Sequence, residues 1–204
     1  MLPTELRRAL RIAGAVMPLA IASLLALPGV ARAQQQQAKA DPPVFDAKAA
    51  AHIRDEYVTD LDTVHVKILA LANAIPADKY SWRPSAGVRS VSEALMHVAS
   101  EWWFFGPRSI AAKEPADFGS PKEKLASLEK ITSKSEVIDQ LNKSWAHFAA
   151  QAKTVDAAQL TGKYKPWGMT IDAAALGMAG DLHEHLGQLI AYSRSLGVKP
   201  PWSK

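Results

Sequence analysis

The stretch SVSEALMHVASEWWFF, residues 90–105, carries the clearest helix signal in the chain. Ser90 followed three residues later by Glu93 is a capping box, in which the serine side chain caps a free backbone amide and the glutamate reaches back to the serine. Apolar residues then recur at spacings of three and four, at Val91, Leu95, Val98, Trp102 and Phe105. This spacing places them on one face of a helix. The stretch therefore predicts an amphipathic helix that begins after Ser90.

The same periodicity predicts three further long helices. The first occupies residues 44–75 and is stopped by Pro76. The third lies within residues 133–155, after a short helix at 122–130, and the last runs from Thr170, which can cap it, to Gly197. No segment shows convincing strand periodicity. Four long amphipathic helices predict an all-α fold, a four-helix bundle whose neighbouring helices run antiparallel.

The first 33 residues are typical of a signal peptide. Arginines near the start precede an apolar run from Ile12 to Leu27, and Ala31–Ala33 offers a small-x-small cleavage site. A retained membrane anchor is the alternative, but Pro18 interrupts the run and a span needs about 20 apolar residues. We therefore expect a periplasmic or secreted protein with no stable membrane anchor after cleavage. Residues 34–43 read as a polar flexible tether and residues 44–204 as one domain.

The charge of the predicted mature chain gives little support to nucleic-acid binding. The leader holds four arginines and one glutamate, so its removal lowers Lys+Arg from 24 to 20, Asp+Glu from 20 to 19, and the formal net charge from +4 to +1. The remainder has no basic stripe with interleaved aromatic residues. No cysteine is present, which excludes disulfides, a thiol nucleophile and thiolate metal ligands.

Two pairs of polar residues lie at helical spacing and are the main candidates for a functional site. His97 and Glu101 are four residues apart on the second helix, and Asp181 and His185 are four apart on the last. Residues four apart share one face of an α-helix, whereas residues two apart lie on nearly opposite sides. His183, which is two residues from His185, is therefore expected to lie outside any shared site.

Histidines and carboxylates from facing helices are how metal sites are assembled inside helical bundles. Nitrogen and carboxylate ligands suit Zn²⁺, Ni²⁺, Mn²⁺ or Fe²⁺. The pattern is therefore compatible with a divalent metal site between the second and last helices. The competing interpretation is that these residues are ordinary boundary residues of amphipathic helices.

Two longer segments resemble a known family. IPADKYSWRPSAGVRSVSEALMHVAS, residues 75–100, and HEHLGQLIAYSRSLGVKPPWS, residues 183–203, are similar to the DinB-like (YfiT-like) superfamily of helical metalloproteins. The resemblance implies a four-helix bundle of up-down-down-up topology, often a homodimer. It also implies a divalent metal held by three histidines, and relatives that include thiol-dependent transferases and isomerases.

Carried onto this sequence, the resemblance assigns His97 and His185 as metal ligands and places Asp181 where the family has a third histidine. The expected metal set is therefore His97, Asp181 and His185, with Glu101 as the nearest candidate general base. The substrate would be a small molecule or a thiol. The alternative is a dimeric binding module whose metal site has degenerated, and the sequence leaves open whether the protein is an enzyme.

Overall fold

The computed structural model describes residues 45–116 and 119–203, and in this part of the chain every regular element is helical. The all-α prediction is confirmed, whereas the up-down-down-up order of the bundle stays a prediction. The helices are α1 (Ala47–Ala74), α2 (Val91–Ser100), a π-helical segment (Glu101–Phe105), α3 (Gly106–Ser109), α4 (Pro121–Leu128), α5 (Lys134–Ala152) and α6 (Ile171–Ser195).

Helix ends follow the local chemistry of the sequence. The Ser90 side chain accepts a hydrogen bond from the Glu93 amide, and the Glu93 carboxylate accepts one from the Ser90 amide at 2.7 Å, so the predicted capping box is present. Thr170 occupies the N-cap position of α6, but its side chain makes no capping bond. Gly197 ends α6 with φ 75°, a conformation that favours glycine.

The helices enclose one continuous apolar core. Helix α1 packs on α5 and α6, and α2 packs on α4, α5 and α6. The largest fully buried side chains of the core include Leu61, Ile68, Leu95, Trp102, Leu141 and Phe148. Each comes from a helix face that the three-and-four spacing selects. Helices α2 and α6, which carry the polar pairs, therefore lie against each other in the bundle.

The π-helical segment is the main departure from the regular helix expected over residues 90–105. Its wider turn closes with the Gly106 amide donating to the Glu101 carbonyl, five residues back. In consequence Phe104 is buried and Phe105 is only half-buried, the reverse of the expected stripe. π turns occur mostly as single turns within helices and often at functional sites.

Two small features of the sequence accompany this wider turn. A Cβ on Gly106 would lie 3.3 Å from both the Glu101 carbonyl and the Phe148 ring, so the bare glycine permits close packing of α5 here. Pro107 has no backbone N–H and cannot extend the hydrogen-bond ladder of the preceding turn. The Gly-Pro pair after four aromatic residues is therefore the sequence signal of the irregularity.

His65 of α1 is buried among aromatic rings. Its ring stacks on Trp145 at 4.8 Å and meets Trp102 edge-on at 4.9 Å, and its Nδ1 has no hydrogen-bond partner. Burial lowers the pKa of His65 from 6.5 to about 4. The imidazole is therefore neutral at pH 7 and belongs to the core.

None of the helices between Phe45 and Ser203 that the structure describes is both long enough and apolar enough to cross a membrane. The predicted signal peptide and tether, residues 1–43, lie outside the described residues. They stay predictions of the sequence.

We expect His65 to make the fold acid-sensitive. The unfolded chain protonates this histidine near pH 6.5 and the folded chain only near pH 4, so stability present above pH 6.5 is lost as pH falls toward 4. Between pH 7 and pH 5 the loss from this group is about 2 kcal/mol. Urea unfolding at both pH values should show that His65→Leu loses about that much less stability than the wild type. His52→Leu, at an exposed position, is the control and should behave like the wild type.

Candidate metal centre

One carboxylate oxygen joins the two helices that carry the polar pairs. His97, in the last turn of α2, places its Nε2 3.1 Å from Oε1 of Glu101. His185, in the middle of α6, places its Nε2 3.2 Å from the same oxygen. The three side chains offer one ligand atom each within 4.8 Å of one another. The structure thus brings together residues that are 84 positions apart in the sequence (101 to 185).

Glu101 lies deep in this cluster and its second oxygen has no hydrogen-bond partner. The residue is 2% exposed, and Oε2 is buried without a partner. A buried carboxylate is costly unless positive charge and hydrogen-bond donors surround it. The buried, unpartnered oxygen is therefore a position where a cation would be favourable.

The donor set fits a divalent metal ion. Two imidazole nitrogens and a carboxylate are ligands that Zn²⁺ and related ions take in proteins, at about 2.0–2.2 Å. Two such ligands in a tetrahedral arrangement lie about 3.4 Å apart. The separations of 3.1 and 3.2 Å from the Glu101 oxygen to the two nitrogens are close to this value.

Asp181, which sequence reasoning placed among the ligands, lies at the edge of the cluster. Its Oδ2 is 3.8 Å from His185 Nε2, its side chain is 50% exposed, and it is not part of the compact group of three. Helical spacing correctly pairs Asp181 with His185 and His97 with Glu101. Spacing does not show, however, how far a side chain lies from the protein surface. Glu101, which was expected as a general base, is the carboxylate that lies within the compact group with the two histidines.

His183 lies away from the centre, as helical phase predicts. Its Nε2 is 3.0 Å from both carboxylate oxygens of Asp60 on α1, and both side chains are exposed. His183 is therefore part of a surface contact between α1 and α6.

A sequence model of the DinB superfamily matches residues 60–189 of the chain. The chain belongs to the DinB superfamily. The matched range contains His97, Glu101, Asp181 and His185. Neither the curated proteins nor the solved structures that were compared gave a match. In this member of the superfamily, His97, Glu101 and His185 form a cluster that could hold a metal ion where α2 and α6 meet.

A partner outside the cluster holds the far side of the His185 imidazole in this DinB-superfamily chain. His185 Nδ1 is 3.2 Å from the side-chain oxygen of Gln188. His97 Nδ1 is instead buried without a hydrogen-bond partner, and its distance to Oε1 of Glu129 is 3.9 Å. Outer contacts of the kind that Gln188 makes orient metal-ligating histidines in general.

The charges within the cluster shift one another. Burial alone would raise the pKa of Glu101, but hydrogen bonds from His185 and His97 outweigh it and hold that pKa below its usual value. Burial alone would lower the pKa of His185, but the Glu101 carboxylate outweighs it and the pKa is raised. In the metal-free protein, an ionised Glu101 beside a protonated His185 is therefore favoured.

We expect the pKa of His185 in the metal-free protein to lie above 6.5 and to fall when Glu101 is neutralised. Its interaction with Glu101 stabilises the fold below about pH 6.5, and this stabilisation is lost as pH rises through the raised pKa. In Glu101→Gln only burial and weaker contacts remain, so the pKa should decrease. NMR titration of the histidine ring signals measures both values. An unchanged pKa in Glu101→Gln would contradict the ion pair.

Proposed function

We propose that this DinB-superfamily chain is an exported metalloprotein that holds a divalent ion with His97, Glu101 and His185. The observation that carries the proposal is the convergence of both imidazole Nε2 atoms on a single oxygen of a buried glutamate. Family membership supports it, since the match covers all three residues. Asp181, whose side chain is half exposed, then lies on the solvent side of the ion, and Glu101 lies on the buried side.

The surroundings of the three ligands suit a reaction on a small polar substrate. When bound, a divalent ion supplies Lewis-acid activation of a thiol or of water. Glu101 and the two histidines come from a packed bundle, so their positions are fixed before a substrate arrives. The half-exposed Asp181 carboxylate can accept a hydrogen bond from a group that enters beside His185. We therefore propose a thiol-dependent transferase or isomerase, or a hydrolase, as the reaction class.

A non-catalytic dimeric binding module is the second candidate function. The sequence supports it by the aromatic block at residues 102–105, which is too wide for one buried face. In the structure Trp102 and Phe104 are buried, and Trp103 and Phe105 are half-buried against the core. The π-helical segment turns all four rings toward the protein, so this block offers less free surface than a regular helix would. The homodimer stays a prediction, and light scattering of the purified protein tests it.

Metal binding distinguishes the two candidate functions. We expect the wild type to bind one Zn²⁺ per chain, and His97→Ala, Glu101→Gln and His185→Ala each to weaken binding by more than about 100-fold, the upper range for loss of an outer-shell partner. Asp181→Asn should weaken it less, because Asp181 lies outside the compact group. Competition with a chromophoric chelator gives the affinities, and elemental analysis gives the stoichiometry.

The control is His183→Ala, which removes an exposed histidine of the same helix and should leave Zn²⁺ affinity unchanged. Circular dichroism of each variant separates loss of ligands from loss of fold. If Asp181→Asn abolished binding while Glu101→Gln bound normally, the ligand set of the sequence analysis would replace the one proposed here. A wild type that bound none of Zn²⁺, Ni²⁺, Mn²⁺ or Fe²⁺ would favour the binding module.

We also propose that the chain is exported to the periplasm or beyond, on the basis of its first 33 residues. Expression of the full chain in a Gram-negative host should yield a periplasmic product that begins near Gln34. N-terminal sequencing of the fractionated protein measures this. Recovery of uncleaved chain in the membrane fraction would indicate the retained anchor instead.

A further inference from the structure

A chain of three hydrogen bonds runs from His185 to the backbone of the segment that precedes α2. His185 Nδ1 lies 3.2 Å from Gln188 Oε1, and Gln188 Nε2 lies 3.1 Å from the Tyr192 hydroxyl. The Tyr192 hydroxyl lies 3.0 Å from the carbonyl oxygen of Arg89. Gln188 and Tyr192 follow His185 by three and seven residues, so all three share one face of α6.

The direction of every bond in this chain follows from its last member. A backbone carbonyl can only accept, so the Tyr192 hydroxyl must donate its one proton to Arg89. The Tyr192 oxygen can then only accept from Gln188, which turns the NH₂ end of the amide toward the tyrosine. The carbonyl end of the amide consequently faces His185.

This orientation decides which ring nitrogen of His185 carries a proton. Gln188 Oε1 can only accept, so the Nδ1 that faces it must be an N–H. Nε2, which lies 3.2 Å from Glu101, is then the nitrogen left to exchange its proton for a metal ion. Nδ1–H is the form that an Nε2-ligating histidine must have.

We propose that Gln188 and Tyr192 are positioning residues that transmit the acceptor character of the Arg89 carbonyl to His185 and reserve its Nε2 for the metal. The proposal rests on the proposed metal-binding function and deepens it. Tyr192 is suited to this role because it is buried and its ring is held edge-on by Trp82 at 5.5 Å. The hydroxyl is therefore fixed in place by packing on the segment that precedes α2.

A double-mutant cycle on Zn²⁺ affinity tests this chain of hydrogen bonds from the Arg89 carbonyl through Tyr192 and Gln188 to His185, which we call the relay. In the wild-type background, Tyr192→Phe should weaken Zn²⁺ binding about two- to tenfold, the effect of one neutral hydrogen bond, because the Gln188 amide is no longer oriented. In a Gln188→Glu background the same substitution should change affinity by less than about twofold. A carboxylate has only acceptors, so it needs no tyrosine to orient it. Gln188→Leu, which removes the acceptor, should weaken binding about 10- to 100-fold.

A role of Tyr192 in packing alone gives a different result. Tyr192→Phe would then weaken binding equally in both backgrounds or in neither, and either outcome would overturn the relay. The phenyl ring is expected to keep the contact with Trp82, and circular dichroism tests whether each variant is folded. Additivity of distant, independent substitutions is the expected behaviour in the absence of coupling.

A second readout does not need the metal. In protein with ¹⁵N-labelled histidine rings, the signals of His185 are identified by their loss in His185→Ala. In the metal-free protein the measurement is made at a pH above the raised pKa of His185, where the ring is neutral and holds one proton. That proton should be on Nδ1, Nδ1 should also carry a proton in the Zn²⁺-bound protein, and the Nδ1 proton should exchange with water faster in Gln188→Leu. A bare Nδ1 in the wild type would overturn the relay. If the wild type bound no Zn²⁺, the metal function would fail while the Nδ1 proton would still decide the relay.

Discussion

The carboxylate of Glu101, buried between two imidazoles, is the constraint on which the arrangement of this bundle depends. An ionised group that has lost contact with water must be surrounded by positive charge and donors, or the fold becomes unstable. Here His97 of α2 and His185 of α6 each place an Nε2 beside the same oxygen, at 3.1 and 3.2 Å. The other oxygen is left without a protein partner. The contact between α2 and α6 is therefore polar at its centre, although apolar packing surrounds it.

The irregular turn after α2 begins at the buried glutamate. Glu101 begins the π-helical segment, whose wider turn changes the register of the residues that follow. Gly106 and Pro107 allow that turn, since the first lacks a side chain that would press on Phe148 and the second lacks an amide hydrogen. The acidic group and the irregular backbone are thus parts of one local structure. The sequence signal of the irregular turn, Gly106 and Pro107, follows the glutamate by five and six residues.

Sequence reasoning accounted for the fold class and for much of the centre. The capping box at Ser90 and Glu93 and the three-and-four spacing gave the helices, and spacing of four gave both polar pairs. His183 was separated from His185 for the same reason. The spacing argument could not rank Glu101 against Asp181, because periodicity gives the direction of a side chain around a helix axis and not its distance from the surface. The contacts of Gln188 with His185 and Tyr192 were also missed, since the chain of hydrogen bonds ends at the backbone carbonyl of Arg89, which leaves no mark in the sequence.

The π-helical segment joins two environments that are otherwise separate. Glu101 faces His97 and His185, while its neighbour Trp102 contacts His65 and Trp145 in the aromatic part of the core. Both side chains are almost fully buried, so neither has free space in which to absorb a movement of the shared backbone. We therefore expect a shift of the glutamate to be accompanied by a shift of the indole. Trp102 would then be an intrinsic optical reporter of the cluster, because the fluorescence of a buried indole depends on its surroundings.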